Sequence, residues 1–369
     1  MNPSLTIGGH GRPNVDHPGN RSLKGFIGIG GSTILIHAIL ILWYFRVGLS
    51  EYASRGDGLE YMRASEALIQ GRLVGAHFPL YPALIAAFTP ALGRELAALA
   101  IPALSHILFA LIVYGDLNSS RLGDPLPYAL LIAFAPPSTL IYSSSALSDG
   151  VALLFTALTL HYALKDREKL MLLSSALAAS THYMPILLII PLAYWYWRRN
   201  RRRLPLALTP LAPLALLSLI QYAATGNPLH YVSVHFAYSR RVWGTPLISY
   251  PLASLAYIAG SLRGANRIFW LTYILLTYIA YGLGLAHAAN RRSLSAAFTA
   301  PFYAFTLIYT GYYFIPRFLA YAFPSLMEYA HIERRLKPVK YLVMTATLAS
   351  TAYALWFLMI RVPSTGFTR

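Results

Sequence analysis

The chain has 369 residues, of which 56% are hydrophobic and only 12% charged, and it carries a formal net charge of +17 without a single cysteine. A soluble domain with so little polar surface could not keep its apolar side chains from water, whereas a bilayer lets helices display them outward. The missing cysteines exclude structural disulfides, thiolate nucleophiles and cysteine-based metal sites. The arginines cluster at the ends of apolar runs, as in membrane proteins, so we expect membrane lipids as partners and no nucleic acid.

The first 25 residues are polar and rich in glycine and proline, which predicts a disordered cytoplasmic tail over 1–25. Residues 26–369 then form a single transmembrane domain. Apolar runs cover 26–49, 78–92, 96–117, 126–142, 146–164, 170–183, 185–197, 204–224, 268–286, 296–313, 314–329 and 341–360. Such runs predict an all-α fold, a polytopic transmembrane helical bundle of about 10–11 spans.

Basic clusters predict the orientation of these runs, because cytoplasmic loops carry an excess of lysine and arginine. Clusters lie at 165–169, 198–203, 291–292 and 334–340. Placing all four inside leaves 50–77, 143–149, His182, 225–267 and 314–317 outside, so we expect these distant segments to share one face. Because 77 and 143 are both assigned outside, the chain must cross the membrane an even number of times between them. Three apolar runs lie in this interval, so one of them must be re-entrant or merge with its neighbour. The proline-rich run 78–92 is the candidate.

Asp57 follows the first span, at the start of a stretch to Arg72 that predicts an amphipathic juxtamembrane helix. Its apolar residues for the membrane surface are Leu59, Met62, Ala67 and Leu68. The Asp57 carboxylate is either a general base facing the outer leaflet or a helix N-cap. Glu60 falls on a later turn and is a weaker candidate.

Asp149 and Arg317 also lie at membrane boundaries, where ionisable groups are costly and often functional. Asp149 begins a strongly apolar run, as a functional acid or a first-turn acid. Arg317 lies outside against the positive-inside trend, so it either binds a phosphate or snorkels to a headgroup. Arg240 and Arg241 form a second outside cationic cluster.

Metal signals are poor, since neither an HExxH nor a DxD motif occurs. His182 at the outer end of a run is better explained by packing or hydrogen bonding than by metal binding. No metal site and no cofactor are expected.

Four motifs in order resemble a family of polytopic enzymes, the GT-C glycosyltransferases, and within it the phosphatidylinositol-glycan class V (GPI mannosyltransferase 2) family and its prokaryotic relatives. Residues 57–61 read DGLEY and residues 78–82 read FPLYP; PPS at 136–138 precedes the acid of 148–149 (SD); GNPLHY at 226–231 precedes RVWGTP at 241–246; and PRFLAYAFP covers 316–324. Departures from the family pattern are Gly56, Asp149, Asn227 and His182, in place of Trp, Glu, Asp and Arg.

This resemblance implies inverting transfer of a sugar, with mannose expected and glucose left open. The donor would be a polyprenyl- or dolichyl-phosphate sugar and the acceptor a lipid or glycolipid. Asp57 would deprotonate the acceptor hydroxyl, while Arg317, with Arg240 or Arg241, would hold the departing phosphate. The remaining substrate-binding candidates are Glu60, Tyr61, Tyr81, Asp149, His182, Tyr231 and Trp243.

The resemblance places the active site on the extracytoplasmic face, and the expected location is the cell membrane of a prokaryote. A lipid or small-solute transporter or flippase is the alternative, although the sequence shows no inverted repeat of the kind that transporters often carry. A non-catalytic lipid-binding subunit is a third option. The sequence leaves the oligomeric state open, with a monomer among the options.

Overall fold

The computed structural model describes residues 18–72, 77–120, 124–243 and 246–361, with the backbone alone for 18–21, 238, 242 and 243. The predicted tail at 1–25 lies mostly outside these residues. In the described part every regular element is a helix, and the one β-bridge, between Ile248 and Tyr309, is isolated. The all-α prediction is therefore confirmed.

The α-helices are α1 Pro18–Val47, α2 Leu49–Ala53, α3 Gly58–Ile69, α4 Leu80–Leu92, α5 Arg94–Ser119, α6 Leu126–Phe134, α7 Pro137–Ser143, α8 Asp149–Leu164, α9 Glu168–Ala179, α10 Ile189–Arg199, α11 Leu211–Thr225, α12 His230–Trp243, α13 Ala253–Ser261, α14 Gly264–Asn290, α15 Leu294–Ile308, α16 Ile315–Leu319, α17 Pro324–Met327, α18 Tyr329–Glu333 and α19 Val339–Trp356. Short 3₁₀ segments are Met184–Leu188, Arg201–Leu208, Tyr312–Phe314 and Ala320–Ala322, and a π-turn, Phe357–Arg361, extends α19.

Among the described residues, five helices are long and apolar enough to cross a membrane. They are Ser22–Val47, Arg94–Ser119, Arg201–Thr225, Gly264–Asn290 and Val339–Arg361. Helices α6 and α7, bent by 65° where Pro136 and Pro137 interrupt the run, make a sixth if they are counted as one broken span. Helices α4, α8 and α15 are apolar but shorter. A bundle that spans a membrane several times is thus supported, but the predicted count of about 10–11 spans exceeds the helices of sufficient length.

The largest departure from the predicted helices is the run 314–329. It was expected to be one span, but it folds into α16, a 3₁₀ turn, α17 and the start of α18. Its residues from Ile315 to Leu326 are all buried inside the bundle. Irregular backbone at membrane depth is tolerated where protein surrounds it. Hydropathy therefore identified the segment as apolar but not its broken geometry.

Helix α4 is the segment proposed not to cross between 77 and 143. Its first N–H, that of Leu80, donates to the carbonyl of Ser180 at 3.0 Å, close to His182. Just beyond its other end, Arg94 forms an ion pair with Glu66 of α3, with Nη1 and Oε2 3.0 Å apart. With 13 residues, the helix is only about 20 Å long, which is shorter than the hydrocarbon core. The interpretation of 78–92 as a non-crossing segment agrees with this placement.

Helix α3 is the amphipathic helix predicted after the first span, but its apolar face packs on protein. Met62 and Ala67 are buried, at 3% and 5% exposure, where the sequence suggested contact with the membrane surface. Only Leu59 and, in part, Leu68 remain accessible. The helix lies against α4 and α5. Burial against these helices therefore fixes the position of Asp57 at its start.

The outside segments of the sequence analysis do meet at one end of the bundle, which we call the site end (50–72, 77–82, 143–149, 182–183, 225–243 and 314–318). The contacts that join them are Arg317 with Asp149, Tyr61 with Ser148, Phe78 with Tyr231, His182 with Phe318, and Tyr183 with His235. Helix α8 runs from Asp149 to Leu164 and so separates this end from the basic cluster at 165–169. We call that opposite end the basic end, and there Arg203 pairs with Glu168. The prediction that distant segments share one face is therefore supported for the residues joined by these contacts.

Candidate functional site

A buried ion pair forms the centre of the site end. Arg317 donates from Nε to Oδ1 of Asp149 and from Nη2 to Oδ2, both at 2.6 Å. Their side chains are only 7% and 3% exposed. A bidentate pair of this kind is strong and geometrically fixed. The guanidinium also lies over the rings of Tyr142, at 4.6 Å, and Phe314, at 5.5 Å.

This geometry bears on the phosphate-binding role predicted for Arg317. The sequence predicted that its fork would grip a phosphate at the membrane boundary, but Asp149 occupies the fork and the residue is buried. Among the described residues, no hydrogen-bond acceptor meets the remaining nitrogen, Nη1. A phosphate would therefore meet the Nη1 amino group of a guanidinium that Asp149 already holds in place.

Two glycines allow the backbones that carry the acids to approach their neighbours. A Cβ on Gly58, next to Asp57, would lie 2.1 Å from the Ala53 carbonyl oxygen and 3.0 Å from Cβ of Ala146. A Cβ on Gly150, next to Asp149, would lie 2.5 Å from the Pro102 carbonyl oxygen. Only glycine permits such close packing next to each acid, and this packing fixes the starts of α3 and α8.

Asp57 occupies the N-cap position of α3, but its side chain makes no capping hydrogen bond. The residue is exposed, and among the described residues no ion pair holds it. Its negative charge nevertheless reaches the interior of the site, where it acts on Arg317 and opposes the lowering of the pKa of His235. Asp57 is therefore an accessible carboxylate whose charge acts on the buried pair.

Three histidines lie at this end of the bundle, and the charge of Asp57 acts on two of them, His77 and His235. Burial lowers the pKa of His182 to about 3 and that of His235 to about 4, and it lowers the pKa of His77 as well. Asp57 and Glu60 act on His77 in the opposite direction. At neutral pH all three are uncharged, because each folded-state pKa lies below the ordinary value. They therefore add no positive charge beside the Asp57 carboxylate.

His182 has the packing and hydrogen-bonding role that the sequence favoured over metal binding. Its ring stacks on Tyr183, with centroids 4.4 Å apart, and on Tyr321 at 6.0 Å. Its Nδ1 accepts the Met184 N–H at 3.2 Å. Since a backbone N–H is a donor only, Nδ1 carries no proton and any proton of the neutral ring is on Nε2.

The aromatic candidates are divided between wall and core. Tyr61 is buried and its Oη lies 2.9 Å from Oγ of Ser148, so it ties α3 to the turn before Asp149. Tyr81 is completely buried, and its hydroxyl donates to the Ala98 carbonyl at 2.6 Å. Pro102 lacks the N–H that would normally bond to that carbonyl. Tyr81 therefore has no free face for a sugar, while Tyr231 is partly exposed and packs on Phe78.

The other candidates lie away from the ion pair. Glu60 is exposed and pairs with Arg63, from Oε1 to Nη1 at 2.9 Å. Arg240 and Arg241 are exposed in the last turn of α12. No contact described here brings them to Arg317. The side chain of Trp243 lies outside the described residues.

Sequence reasoning missed two polar residues of this region. Gln221 is only 3% exposed, and its Oε1 accepts the Tyr231 N–H at 3.0 Å. His235 packs on Tyr231 with ring centroids 4.3 Å apart. The signal for Gln221 was available, because an amide within the apolar run 204–224 is as unusual as a charge.

Among the described residues, no group of three His, Asp or Glu side chains is placed to hold a metal ion. The site end offers an exposed carboxylate, a fixed guanidinium, uncharged histidines and aromatic walls. Such a set can accept a proton, stabilise an anion and contact a sugar or lipid.

Over the ranges that the structure describes, the fold and composition define the class: a helical protein with five helices long and apolar enough to cross a membrane. A scan against protein-family models finds none that matches the chain, and a search of curated proteins finds no match either. The likeness to the class V glycosyltransferases consequently rests on the four sequence motifs alone.

Proposed function

We propose that this chain is a membrane glycosyltransferase that moves a sugar, with mannose expected, from a polyprenyl- or dolichyl-phosphate donor to a lipid or glycolipid acceptor. The observation that carries the proposal is an accessible carboxylate, Asp57, and a buried Asp149–Arg317 pair on which its charge acts, at one end of an apolar helical bundle. A hydroxyl nucleophile needs such a base, and a phosphate leaving group needs such a cation.

In the proposed reaction Asp57 takes the proton of the acceptor hydroxyl. The oxygen then forms a bond to the anomeric carbon of the sugar, on the face opposite the lipid phosphate. The bond between that carbon and the phosphate oxygen breaks, and both electrons stay with the phosphate, so the configuration inverts. The phosphate is already an anion at neutral pH and leaves without a proton, with the Nη1 side of Arg317 stabilising its charge.

Asp149 holds the guanidinium in position through the two bonds to Nε and Nη2. The fixed orientation reduces the reorganisation that would otherwise accompany charge development. Arg240 and Arg241 extend from α12 as exposed cations at the same end. We propose that they attract the donor phosphate to the site rather than stabilise the reaction directly.

We further propose that the site end faces the extracytoplasmic side of the cell membrane, because the positive-inside rule puts the basic end in the cytoplasm. The shorter helices α8, α9, α10 and α15 then run between the two ends and complete the GT-C-like bundle, while α4 stays on the outer side with α3.

The test is turnover of a radiolabelled polyprenyl-phosphate mannose by the purified protein in vesicles containing a glycolipid acceptor. Asp57→Asn should lower turnover by about 10²–10⁴-fold, because the amide cannot accept the proton. Glu66→Gln is the matched control, since Glu66 is an exposed acid of the same helix that pairs with Arg94. An Asn variant that keeps a tenth of wild-type turnover contradicts the assignment of the base. Movement of labelled lipid across the vesicle without a new glycosidic bond would favour the transporter alternative.

A further inference from the structure

A groove opens beside the site end between α3 and the 77–82 segment on one side and α11 and the start of α12 on the other. It encloses about 570 Å³, including space open to the surroundings. One wall is a stripe of α11 at helical spacing, from Leu217 through Gln221 to Thr225. The opposite wall includes Leu68 and Pro82.

Gln221 is the feature of this groove that ordinary packing does not explain. The residue is 3% exposed and its Oε1 is used by Tyr231, but its Nε2 has no hydrogen-bond partner in the described structure. A buried donor without an acceptor costs about 1–3 kcal/mol. Since Gln221 lines the groove, this missing partner points to an acceptor oxygen on a ligand that enters it.

The surroundings of the groove indicate the kind of ligand. Leu216, Leu219 and Tyr222 flank the stripe on α11, with exposures of 54%, 67% and 61%. These exposed apolar side chains can contact the hydrocarbon of a bilayer, so a lipid can reach the groove without crossing water. The groove is mainly apolar, and a hydrocarbon chain fits it better than a polar polymer does.

The charge of the groove selects between the two lipid substrates. None of the described residues that line it is a lysine, an arginine or an acid. His77, one of them, is uncharged at neutral pH because burial lowers its pKa. A phosphate would find no cation there, whereas the uncharged oxygens of an acceptor lipid would find the Gln221 donor. His77 also packs on Tyr61, with ring centroids 4.5 Å apart, and the charge of Asp57 acts on its ring. The groove therefore borders the proposed base.

We propose that this groove binds the lipid acceptor. Its hydrocarbon chain lies along the α11 stripe, and an uncharged oxygen near its head, a hydroxyl or an ester carbonyl, accepts a hydrogen bond from Gln221 Nε2. The inference rests on the proposed function, because the hydroxyl delivered past His77 is the one that Asp57 would deprotonate. The donor phosphate, by contrast, belongs with Arg317 outside the groove.

The experiment uses the full chain in lipid nanodiscs and a photoactivatable diacylglycerol with a diazirine in its acyl chain, followed by mapping of the labelled peptides. We expect labels on α11 and α3. Gln221→Met has a similar length but no donor, and it should reduce labelling by about three- to tenfold, the value of one hydrogen bond. Gln70→Met is the control, since Gln70 is exposed and lies outside the groove.

A second pair of variants keeps the Gln221–Tyr231 bond intact. Ala224→Phe fills the groove, whereas Ala223→Phe places the same ring on an exposed neighbouring position that does not line it. Ala224→Phe should lower labelling and raise KM for the acceptor at least fivefold, with KM for the donor unchanged; Ala223→Phe should do neither. Equal behaviour of the two variants overturns the proposal.

A photoactivatable phosphatidic acid tests the charge argument, and stronger labelling of the groove by this anion than by diacylglycerol would overturn the assignment to the neutral acceptor. Labelling does not require turnover. Groove labelling without any transfer would support the lipid site and contradict the glycosyltransferase. Transfer with unaltered kinetics in Ala224→Phe would support the glycosyltransferase and contradict the lipid site.

Discussion

The two ends of the bundle contain the same kind of ion pair in opposite surroundings. At the site end, Arg317 and Asp149 have side chains 7% and 3% exposed and are joined by two hydrogen bonds. At the basic end, Arg203 and Glu168 have side chains 56% and 24% exposed. Isolated surface pairs contribute about 0–1 kcal/mol, but breaking a buried pair leaves an uncompensated charge. The number of charges at an end is therefore a poor guide to how much the protein depends on them.

The largest expected effect comes from removing one partner of the buried pair. Arg317→Ala leaves Asp149 ionised and unpaired in the core, which should cost about 3–5 kcal/mol of stability. Arg203→Ala at the basic end should cost about 1 kcal/mol or less. Thermal unfolding of both variants in detergent, followed by loss of monodisperse protein, measures the contrast. Equal losses would show that burial does not distinguish the two pairs.

A conservative change separates the chemistry of Arg317 from its contribution to folding. Lysine in its place keeps the positive charge but cannot form the fork that Asp149 binds. We expect Arg317→Lys to lower kcat about ten- to a hundredfold, as for loss of a charged hydrogen bond of roughly 1.5–3 kcal/mol. Steady-state kinetics with varied donor provide the measurement, and Arg203→Lys is the control. Unchanged kcat and KM in a folded Arg317→Lys protein would reject any role of Arg317 in transfer.

The histidines of the site end predict a smaller effect of pH. Burial lowers the folded-state pKa of His182 to about 3 and of His235 to about 4, while the unfolded chain keeps the ordinary value near 6.5. Below that value the unfolded state binds more protons, so stability is complete above about pH 6.5 and falls as the pH drops toward the folded values. His182→Asn keeps an acceptor for the Met184 N–H and removes one titrating group. Its melting temperature should fall less between about pH 6.5 and pH 5 than that of wild type; parallel curves would contradict the buried neutral state of His182.

Removal of divalent metal ions is expected to have no effect on transfer. A lipid-phosphate donor has no nucleotide diphosphate to neutralise, and guanidinium groups can stabilise its charge, so excess chelator should leave transfer unchanged. Activity measured with EDTA, and again after adding magnesium or manganese, checks this. Loss in the chelator with recovery on adding metal would mean that Arg317 does not suffice at the site end.

Much of the fold follows from pattern alone, because the position of basic clusters is a direct consequence of membrane insertion. The pattern of basic clusters correctly grouped Asp57, Asp149, His182 and Arg317 at one end, although they are far apart in the chain. It also predicted the helix after Asp57. The bend between α6 and α7 and the broken path from Ile315 to Leu326 were not predicted, since hydropathy reports where a segment is apolar and not how it turns.

Details of the site were less predictable, because they depend on which polar groups find each other in the core. An outside arginine was recognised as exceptional, but its engagement by Asp149 requires two turns 168 residues apart to meet. The burial of Tyr81 follows from a carbonyl freed by Pro102, which a motif comparison does not reveal. Gln221 was hidden in a run that was classified only by its average hydropathy.

The broken segment from Ile315 to Leu326 has a consequence for biosynthesis. Its short helices and 3₁₀ turns leave backbone groups that would cost several kcal/mol each if they faced lipid alone. Protein surrounds the segment on every side in the finished bundle, with Asp149 holding Arg317 from a helix made much earlier by the ribosome. The segment is therefore stable at membrane depth only where α6, α8 and α14 already surround it, and we expect it to be buried after these helices have assembled. Assembly of this protein is consequently ordered in time, with the arginine of the site among the last groups to be buried.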